Sequence, residues 1–520
     1  MDNRPENAAM NSEDRDTSSV GTSLRSAGWV SLWSLGQLVV QFALQVVLAK
    51  CFGAGAEMDA FVSAIALPTV LSAIFVGSLN FALIPTISQR MAHGEDDAAW
   101  STASGVAWLL LLFTAVLSAV VFLFAVPITR LLYPGFVVTQ TALTAQLLTI
   151  LAWLLVSNGL IAFSTAVLHC QKRFTVPAIA PVVGTGLTLA LVIAYRERGI
   201  AAVAQAVLAG SLLVAALQMA ALPITRLRLF RRLDPGVYQC LRLMAPLVSG
   251  AMFFRLDPLV DRYLASELST GSIAHLGYAM RLVTALTMVA TSGLAVVAFP
   301  NFARQHASGK PEAFCQEISH ALRCLCVIMV PIVLGLGCYS RDVIHDLFER
   351  GEFTAEDTRI VALLLVLYLG MVVGAACGDV AAKIFFALSN TRTPTIIGCA
   401  GFGLGLLLKI LLTPNLGVTG IAIATSTYYL VNVLVMLTVL RRQLGRQIFS
   451  GTAASLLRSF TASAAAVLLA APVVNLSLPM GAFMGALVGA AVYLGMLLCL
   501  RDEMALRMIG YFRELIRFRP

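Results

Sequence analysis

Residues 245–281 read APLVSGAMFFRLDPLVDRYLASELSTGSIAHLGYAMR, a stretch apolar enough to cross a membrane that nevertheless carries several charges. The charged residues of greatest interest are Arg255, Asp257, Asp261, Arg262 and Arg281. A charged side chain at the centre of a membrane helix costs about 2.5–3.5 kcal/mol on insertion scales, so it normally faces a water-filled cavity or an ionic partner. The stretch therefore predicts a membrane transporter with a charged interior.

The four charges at 255–262 are expected to lie on opposite faces of one helix. With about 100° per residue, the two arginines fall at about 0° and 340°, and the two aspartates at about 200° and 240°. One face would suit an anionic substrate, and the other a cation or a basic side chain of a neighbouring helix. Pro258 lies between the charges and is expected to kink this helix. A salt-bridge network that only holds helices together is the alternative interpretation.

The composition excludes an ordinary soluble protein. The chain has 520 residues, of which 59% are hydrophobic and 12% charged, and its mean hydropathy is +0.86. In soluble domains about a quarter of the residues are charged. Ten cysteines are scattered through apolar spans without metal-ligand spacing, so we predict no metal site and no cofactor. The net charge of +9 arises from basic residues in short loops, which indicates membrane orientation rather than nucleic-acid binding.

The apolar windows predict an all-α polytopic membrane protein with about fourteen transmembrane helices, each long enough to cross about 30 Å of hydrocarbon. The windows lie at roughly 27–50, 60–88, 103–127, 142–168, 175–195, 199–222, 241–265, 274–301, 319–340, 358–387, 393–413, 417–440, 455–475 and 480–500. The basic residues concentrate in alternate connecting segments, so the positive-inside rule predicts that both termini are cytosolic.

Four landmarks repeat along the chain at a nearly constant offset. The paired positions are Pro85 and Pro300, Gly135 and Gly351, Arg173 and Arg392, and Gly199 and Gly417. This pattern predicts duplication of a six-helix unit. The predicted divisions are a disordered cytosolic tail at 1–26, an amino-terminal lobe at 27–222, a basic cytosolic linker at 223–240, a carboxy-terminal lobe at 241–440, two added helices at 441–500, and a basic amphipathic segment at 501–520.

A set of short motifs resembles the MviN/MurJ family of lipid II flippases. The motifs are FGAGAEMDAF at 52–61, YPGF at 133–136, KRFTVPAIAP at 172–181, GSIAHLGYAMRL at 271–282 and FERGEFT at 348–354. The family belongs to the multidrug/oligosaccharidyl-lipid/polysaccharide exporter superfamily, and the resemblance extends over about residues 27–500. It is carried by the order of the motifs together with the predicted spans and the repeat.

The resemblance implies a flippase that moves an undecaprenyl-pyrophosphate-linked precursor from the inner to the outer leaflet of the bacterial cytoplasmic membrane. Repeats of this kind bind substrate between them and alternate access by rocking. Arg281 matches the arginine of the family's YAxRL element, and Asp59 matches its aspartate after FGAG, with an expected role in gating. Arginine suits a pyrophosphate because it is permanently charged and forms forked hydrogen bonds. Arg255 and Arg262 are the other expected substrate-binding residues.

The sequence departs from the family pattern in its amino-terminal lobe. The family's SRVLGFARD-like element is QLVVQFALQ at 37–45, with Leu38 and Leu44 at the arginine positions, and LSAIF at 71–75 has Ser72 and Ala73 at another basic pair. Either the carboxy-terminal lobe holds the headgroup, or the substrate is a related lipid-linked exopolysaccharide or O-antigen unit. A non-transporting scaffold of a biosynthetic complex is a further alternative.

Other interior charges are assigned to gating or ion coupling. Asp257 and Asp261 are expected cation or counter-ion sites, and Asp379 and Lys383, four residues apart on one helix, are expected to pair. The hypothesis for Lys409 is that its ammonium faces one of the former aspartates, in the space where relatives bind a coupling cation. The chain lacks a GxxxxGK[ST] phosphate loop, so a monovalent cation or the membrane potential is expected to supply the energy.

An enzyme is not favoured, because the longest external segment, 341–357, belongs to a repeat landmark. The expected partners are therefore the lipid-linked saccharide, the bilayer and enzymes of cell-wall or polysaccharide synthesis.

Overall fold

The computed structural model of the chain describes residues 29–30, 32–227, 234–307, 309–474, 480–500, 502 and 504. Within these residues the regular structure is helical, with no strand. The helices are α1 Leu32–Phe52, α2 Ala56–Ala92, α3 Asp96–Leu123, α4 Ala125–Leu132, α5 Val138–Leu151, α6 Leu154–Cys170, α7 Thr175–Ala194, α8 Ile200–Ala220, α9 Pro235–Arg255, α10 Asp257–Ser266, α11 Ser272–Ala307, α12 Pro311–Phe348, α13 Ala355–Ala387, α14 Arg392–Leu416, α15 Val418–Leu444, α16 Thr452–Val474 and α17 Gly481–Cys499. The predicted tail at 1–26, part of the predicted linker and nearly all of the predicted segment at 501–520 lie outside the described residues.

Twelve spans of the described chain are long and apolar enough to cross a membrane. One of them, Val138–Cys170, combines α5 and α6. The predicted windows at 241–265 and 274–301 are also helical but are not among the twelve. The first of them is interrupted at Leu256. The prediction of an all-α polytopic membrane protein is confirmed.

The helix boundaries repeat at the predicted spacing. Helices α2, α3, α5, α7 and α8 begin 215 to 218 residues before α11, α12, α13, α14 and α15. Two helix ends also match in detail, because Lys172 after α6 and Ser389 after α13 both have positive φ, 59° and 57°. In each case the next residue's amide donates to a carbonyl five positions earlier, at 2.9 Å: Arg173 to Leu168 and Asn390 to Phe385. This is the left-handed helix termination that satisfies the last carbonyls.

The helix predicted over 241–265 is interrupted at Leu256, between α9 and α10, beside the proline where a kink was predicted. The prediction of one continuous helix is wrong. Pro258 explains the break, since proline has no amide hydrogen and its ring clashes with a preceding carbonyl, yet it is tolerated in the first turn of a helix. Arg255 therefore ends α9 and Asp257 begins α10. The angles calculated for one continuous helix do not apply across the break, although Asp261 and Arg262 remain consecutive residues of α10.

Packing divides the chain into two compact units. The first comprises Met1–Cys51 and Ala56–Leu259, and the second comprises Phe52–Gly55 and Val260–Pro520. The first unit thus includes α9, which packs on α2 and α3, whereas the short connection after α1 belongs to the second. Division by packing and division by duplication are different criteria, so the lobe boundaries inferred from the repeat stay a prediction.

Candidate functional site

A buried ion pair lies inside the second unit. Lys409 Nζ of α14 is 2.6 Å from Asp261 Oδ1 of α10. Lys409 is fully buried and Asp261 is 6% exposed, and the ring of Tyr428 on α15 has its centroid 5.8 Å from the ammonium. Removing two charges from water is costly, and close pairing of the two offsets part of that cost. The contact expected from the sequence between Lys409 and one of the two aspartates is present, and the aspartate is Asp261.

Glycines on α14 allow the close packing around this lysine. The buried face of α14 consists of Pro394, Gly398, Gly401, Gly405, Lys409 and Thr413. A Cβ atom on Gly405 would lie 2.4 Å from the Tyr428 ring, and one on Gly401 would lie 1.9 Å from Asn432 Oδ1. Larger residues at these positions would push α15 away from α14. The lysine is therefore held by a helix interface that is fitted around small residues.

Two arginines of the second unit, Arg262 and Arg281, interact electrostatically. Arg281 lies on α11 and is half-buried, and Arg262 of α10 and Tyr278 are the groups that interact with it electrostatically. Arg262 also has contacts of its own. Within the described part of the chain no carboxylate forms an ion pair with Arg281. A half-buried guanidinium beside a second positive charge favours the approach of an anion.

The start of α11, which carries Arg281, is fixed by polar and aromatic contacts. His275 Nε2 lies 2.7 Å from Asp357 Oδ1 of α13, and Asp357 also completes a capping box with Thr354. One turn before Arg281, the ring of Tyr278 packs against two buried phenylalanines, Phe348 and Phe353, with centroids 5.4 Å from each. These contacts orient the helix turn from which the arginine projects.

The connection after α1 is docked closely on this helix start. The Tyr278 hydroxyl donates to Gly53 O at 2.9 Å. Gly53 has φ +55°, and a Cβ atom there would lie 2.3 Å from Glu352 O. Gly271 has φ +92°, and its Cβ would lie 2.3 Å from Ala54 O. Both positions require glycine because of the positive φ and the close backbone approach.

In the first unit, Ser72 of α2 occupies a position where the family pattern has a basic residue. Hydrogen bonds between neutral side chains connect it to α6 and α8. Asn158 of α6 donates to Ser72 Oγ of α2 at 3.1 Å and accepts from Ser211 of α8 at 3.4 Å. Ser157 and Ser211 share a hydrogen bond of 2.6 Å. Leu44, at another arginine position, is buried in α1. This region of the first unit is therefore polar but uncharged.

The remaining predicted site residues are dispersed. Asp59 is buried in the first turn of α2, and Arg255 is exposed at the end of α9. Asp257 is half-buried. Lys383 Nζ donates to Asp379 Oδ2 at 2.6 Å within α13, so the predicted i,i+4 pair is present. The described residues hold no group of three His, Cys, Asp or Glu side chains that could bind a metal.

An apolar cavity of about 280 Å³ lies elsewhere in the second unit. Its walls come from α11, α12, α16 and α17, and they include Leu286, Pro331, Gly335, Ala466, Gly485 and Tyr493. The composition of these walls suits a hydrocarbon chain and not a charged group.

Sequence reasoning did not single out Tyr278 or Tyr428. Tyr278 lies three residues before Arg281 in the motif GYAMRL, and this spacing places both on one side of a helix. Tyr428 offered no comparable signal, because its contact with Lys409 depends on how α14 and α15 pack.

The chain resembles known proteins over most of its length. The family model described as lipid II flippase MurJ matches residues 48–488. A probable lipid II flippase MurJ of Rhizobium meliloti is 28% identical, over 80% of this chain and 80% of the relative. The lipid II flippase MurJ of Burkholderia cenocepacia is 25% identical, over 80% and 83% respectively.

Solved structures share the fold. A structure of lipid II flippase MurJ in an inward closed conformation has a TM-score of 0.77 at 21% identity, and the match covers 94% of this chain and 99% of that chain. An inward-facing multidrug transporter of the MATE family has a TM-score of 0.63 at 14% identity, with coverage of 79% and 95%. The fold predicted from the sequence is confirmed. The match of the family model over most of the sequence shows that this chain belongs to the MurJ family of lipid II flippases.

Proposed function

We propose that the protein is a flippase that moves lipid II, an undecaprenyl-pyrophosphate-linked precursor of peptidoglycan, from the inner to the outer leaflet. The observation that carries this proposal is Arg281, a half-buried guanidinium on a membrane helix that has no ion-pair partner in the described part of the chain. An unpaired charge inside a membrane protein is costly to retain. A substrate anion that pairs with it during transport accounts for its presence.

The proposed ligand of the two arginines is the pyrophosphate. A pyrophosphate cannot cross hydrocarbon unaided, so the protein must replace its hydration with fixed charges and hydrogen-bond donors. Arg262 and Arg281 repel each other when the site holds no anion, and a doubly charged headgroup between them would reverse this repulsion. Arg255, which ends α9, stays a predicted substrate-binding residue.

The polyprenyl tail needs an apolar path beside the headgroup path. The cavity between α12, α16 and α17 is proposed to accept part of this tail, because its walls are apolar and include small residues such as Gly335 and Gly485. Burial of each CH₂ group contributes about 0.8 kcal/mol, so a few isoprene units would add substantially to affinity.

Coupling is proposed to involve the buried charges of the second unit. The Lys409 ammonium is proposed to neutralise Asp261 permanently, in the manner of a bound cation, with Asp257 as a neighbouring counter-ion. Asp379 and Lys383 neutralise each other and are proposed to move as one element. Asp59 is proposed to act in gating. A monovalent cation gradient or the membrane potential is the proposed energy source.

A second candidate substrate is a lipid-linked exopolysaccharide or O-antigen unit. The neutral network of Ser72, Asn158 and Ser211 suits sugar hydroxyls, which both substrates carry, and the family match favours lipid II. With either substrate, the protein is proposed to lie in the bacterial inner membrane with both termini in the cytosol. Enzymes that make the precursor are its proposed partners. A scaffold without transport is the remaining alternative.

The test is rescue of a bacterium depleted of its own lipid II flippase. The readout is the fraction of lipid II accessible on the outer leaflet, and the variants are Arg281→Gln and Arg281→Lys. The matched control is Arg359→Gln, whose side chain is 75% exposed. We expect rescue by the wild type and the control, loss with Arg281→Gln, and partial activity with Arg281→Lys. Absence of rescue by a folded wild-type protein would favour the exopolysaccharide substrate, and equal rescue by all variants would contradict the role of Arg281.

A further inference from the structure

The first turn of α9 is held to α2 and α3 by a cluster of polar contacts inside the first unit. Three donors converge on one oxygen, Asp234 Oδ2: the guanidinium of Arg90 in an ion pair, Thr102 Oγ1 at 2.7 Å and the Gly236 amide at 3.0 Å. Arg90 also donates to Ala98 O at 3.0 Å. We call Arg90, Thr102 and Asp234 the α9 clasp.

The carboxylate of Asp234 stays ionised because both charged and neutral groups of the clasp donate hydrogen bonds to it. Burial opposes ionisation of Asp234, but the hydrogen bonds from Thr102, Arg90 and the Gly236 amide outweigh it and hold the pKa of this carboxyl below its ordinary value. Asp234 also caps the amino terminus of α9, where a negative charge is favourable. The Asp234 carboxylate therefore both caps α9 and connects this helix to α2 and α3.

Beneath the clasp the packing leaves no spare room. A Cβ atom on Gly236 would lie 2.6 Å from Thr102 Oγ1, and one on Gly105 of α3 would lie 2.7 Å from Val237 Cγ2. Val237 and Cys240 on α9 are fully buried. Undocking of α9 from α2 and α3 would therefore uncover Val237 and Cys240.

The position of α9 in the repeat is the basis on which we infer that this docking is reversible. Because α2 corresponds to α11, the helix before each must correspond too, and α9 with α10 is the second copy's equivalent of α1. The first turns of α9 nevertheless pack with the first unit, and the end of α1, Phe52–Gly55, packs with the second. When two repeats rock during transport, a segment that packs with the opposite unit either moves with that unit or exchanges its contacts, and the second course is the one inferred here.

We propose that the α9 clasp is a reversible latch, closed in this structure and released once in each transport cycle. This inference rests on the proposed function for its role in transport, but not for its structural basis. The clasp side chains suit such a role, because those of Arg90 and Asp234 are 19% exposed. Water can therefore reach the pair and take over its hydrogen bonds when the helix undocks.

The native Cys240 reports the state of the latch without a substitution in α9. The experiment measures its labelling rate by a maleimide in membranes, read by mass spectrometry of the peptide that contains residue 240. Cys315, buried in the second unit, controls for general unfolding. We expect Arg90→Gln to raise the labelling of Cys240 about tenfold, because loss of a charge-assisted bond shifts the closed state toward the open one. Arg359→Gln should leave the rate unchanged, and equal rates in all three proteins would overturn the latch.

A cross-link tests the link to transport. The ideal Cβ of Gly105 lies 3.9 Å from the Cβ of Val237, within the range of a disulfide. Oxidised Gly105→Cys/Val237→Cys should lose flipping, and reduction should restore it. If the oxidised protein flips lipid as fast as the reduced one, the latch is wrong and the proposed function stands. If neither wild type nor reduced variant flips lipid II while Arg90→Gln still accelerates labelling, the proposed function fails and the latch stands.

Discussion

Lys409 Nζ and Asp261 Oδ1 lie 2.6 Å apart, and the lysine side chain has no access to solvent. The pair connects α14 to α10, the helix that also carries Arg262. Its geometry accounts for a lysine in the apolar sequence LGLLLKILLTP, because the ammonium ends beside a carboxylate. The pair thus keeps Arg262 in place as well as neutralising two buried charges.

Removal of one partner of this pair should be more harmful than removal of both. Lys409→Met leaves a buried carboxylate uncompensated, which costs about 3–5 kcal/mol, whereas Lys409→Met with Asp261→Asn leaves no buried charge. We expect a large fall in the midpoint of thermal unfolding in detergent for the single variant and a smaller one for the double variant. A double variant as unstable as the single one would show that the pair is not coupled.

Substitution of Gly53 should destabilise the docked connection after α1. Gly53→Ala combines the strain of a positive φ, about 1 kcal/mol, with a clash against Glu352 O. Gly94 has φ +76° and open space around it, so Gly94→Ala is the matched control for strain alone. We expect Gly53→Ala to lower the thermal midpoint clearly more than Gly94→Ala. Similar shifts would indicate that the contact with Glu352 contributes little.

Filling the apolar cavity should slow transport without unfolding the protein. Gly335 lines the cavity, and a Cβ atom there would meet nothing within 4 Å. Gly335→Leu is therefore expected to occupy space proposed for the polyprenyl chain and to reduce flipping several-fold. Gly495 on α17 also has open space but does not line the cavity, so Gly495→Leu is the control. Equal flipping by both variants would contradict the proposed tail path.

The clasp should be insensitive to pH in the physiological range. The pKa of Asp234 is below its ordinary value of 3.8, so its contribution is fully present above the unfolded pKa and is lost as the pH falls through the lower folded pKa. Hydrogen-exchange protection of residues 235–240, corrected for intrinsic rates, should therefore be constant between about pH 5 and 8. Asp234→Asn should lower that protection at every pH. If protection in the wild type declined within this range, a titrating group other than Asp234 would control the stability of the clasp.

The fold could be predicted from the sequence because membrane helices and their duplication leave local signals. Long apolar windows indicate helices directly. Landmarks such as Gly199 and Gly417 recur because each has a positive φ and directly precedes a helix. A kink at Pro258 was predicted, but not the complete separation of α9 from α10 at Leu256, because a proline inside an apolar window signals a kink and the end of a helix equally well.

The site could be predicted only in part. Interior charges are conspicuous in an apolar sequence, so the arginines, the aspartates and Lys409 were recognised, as was the pairing of Asp379 with Lys383. Tyr428 and the α9 clasp depend on packing between helices that are distant in sequence. The sequence DPG at 234–236 is a signal for the start of a helix, but nothing in the sequence connects it to Arg90.

The most direct test of the central claim is lipid II flipping by the purified protein in proteoliposomes, with Arg281→Gln compared with Arg359→Gln. We predict that wild type and Arg359→Gln move lipid II across the bilayer at similar rates and that Arg281→Gln reduces the rate at least tenfold, about 1.4 kcal/mol in the barrier. Flipping by Arg281→Gln at the wild-type rate would contradict the account, since the headgroup would then cross without the half-buried guanidinium that is proposed to bind it.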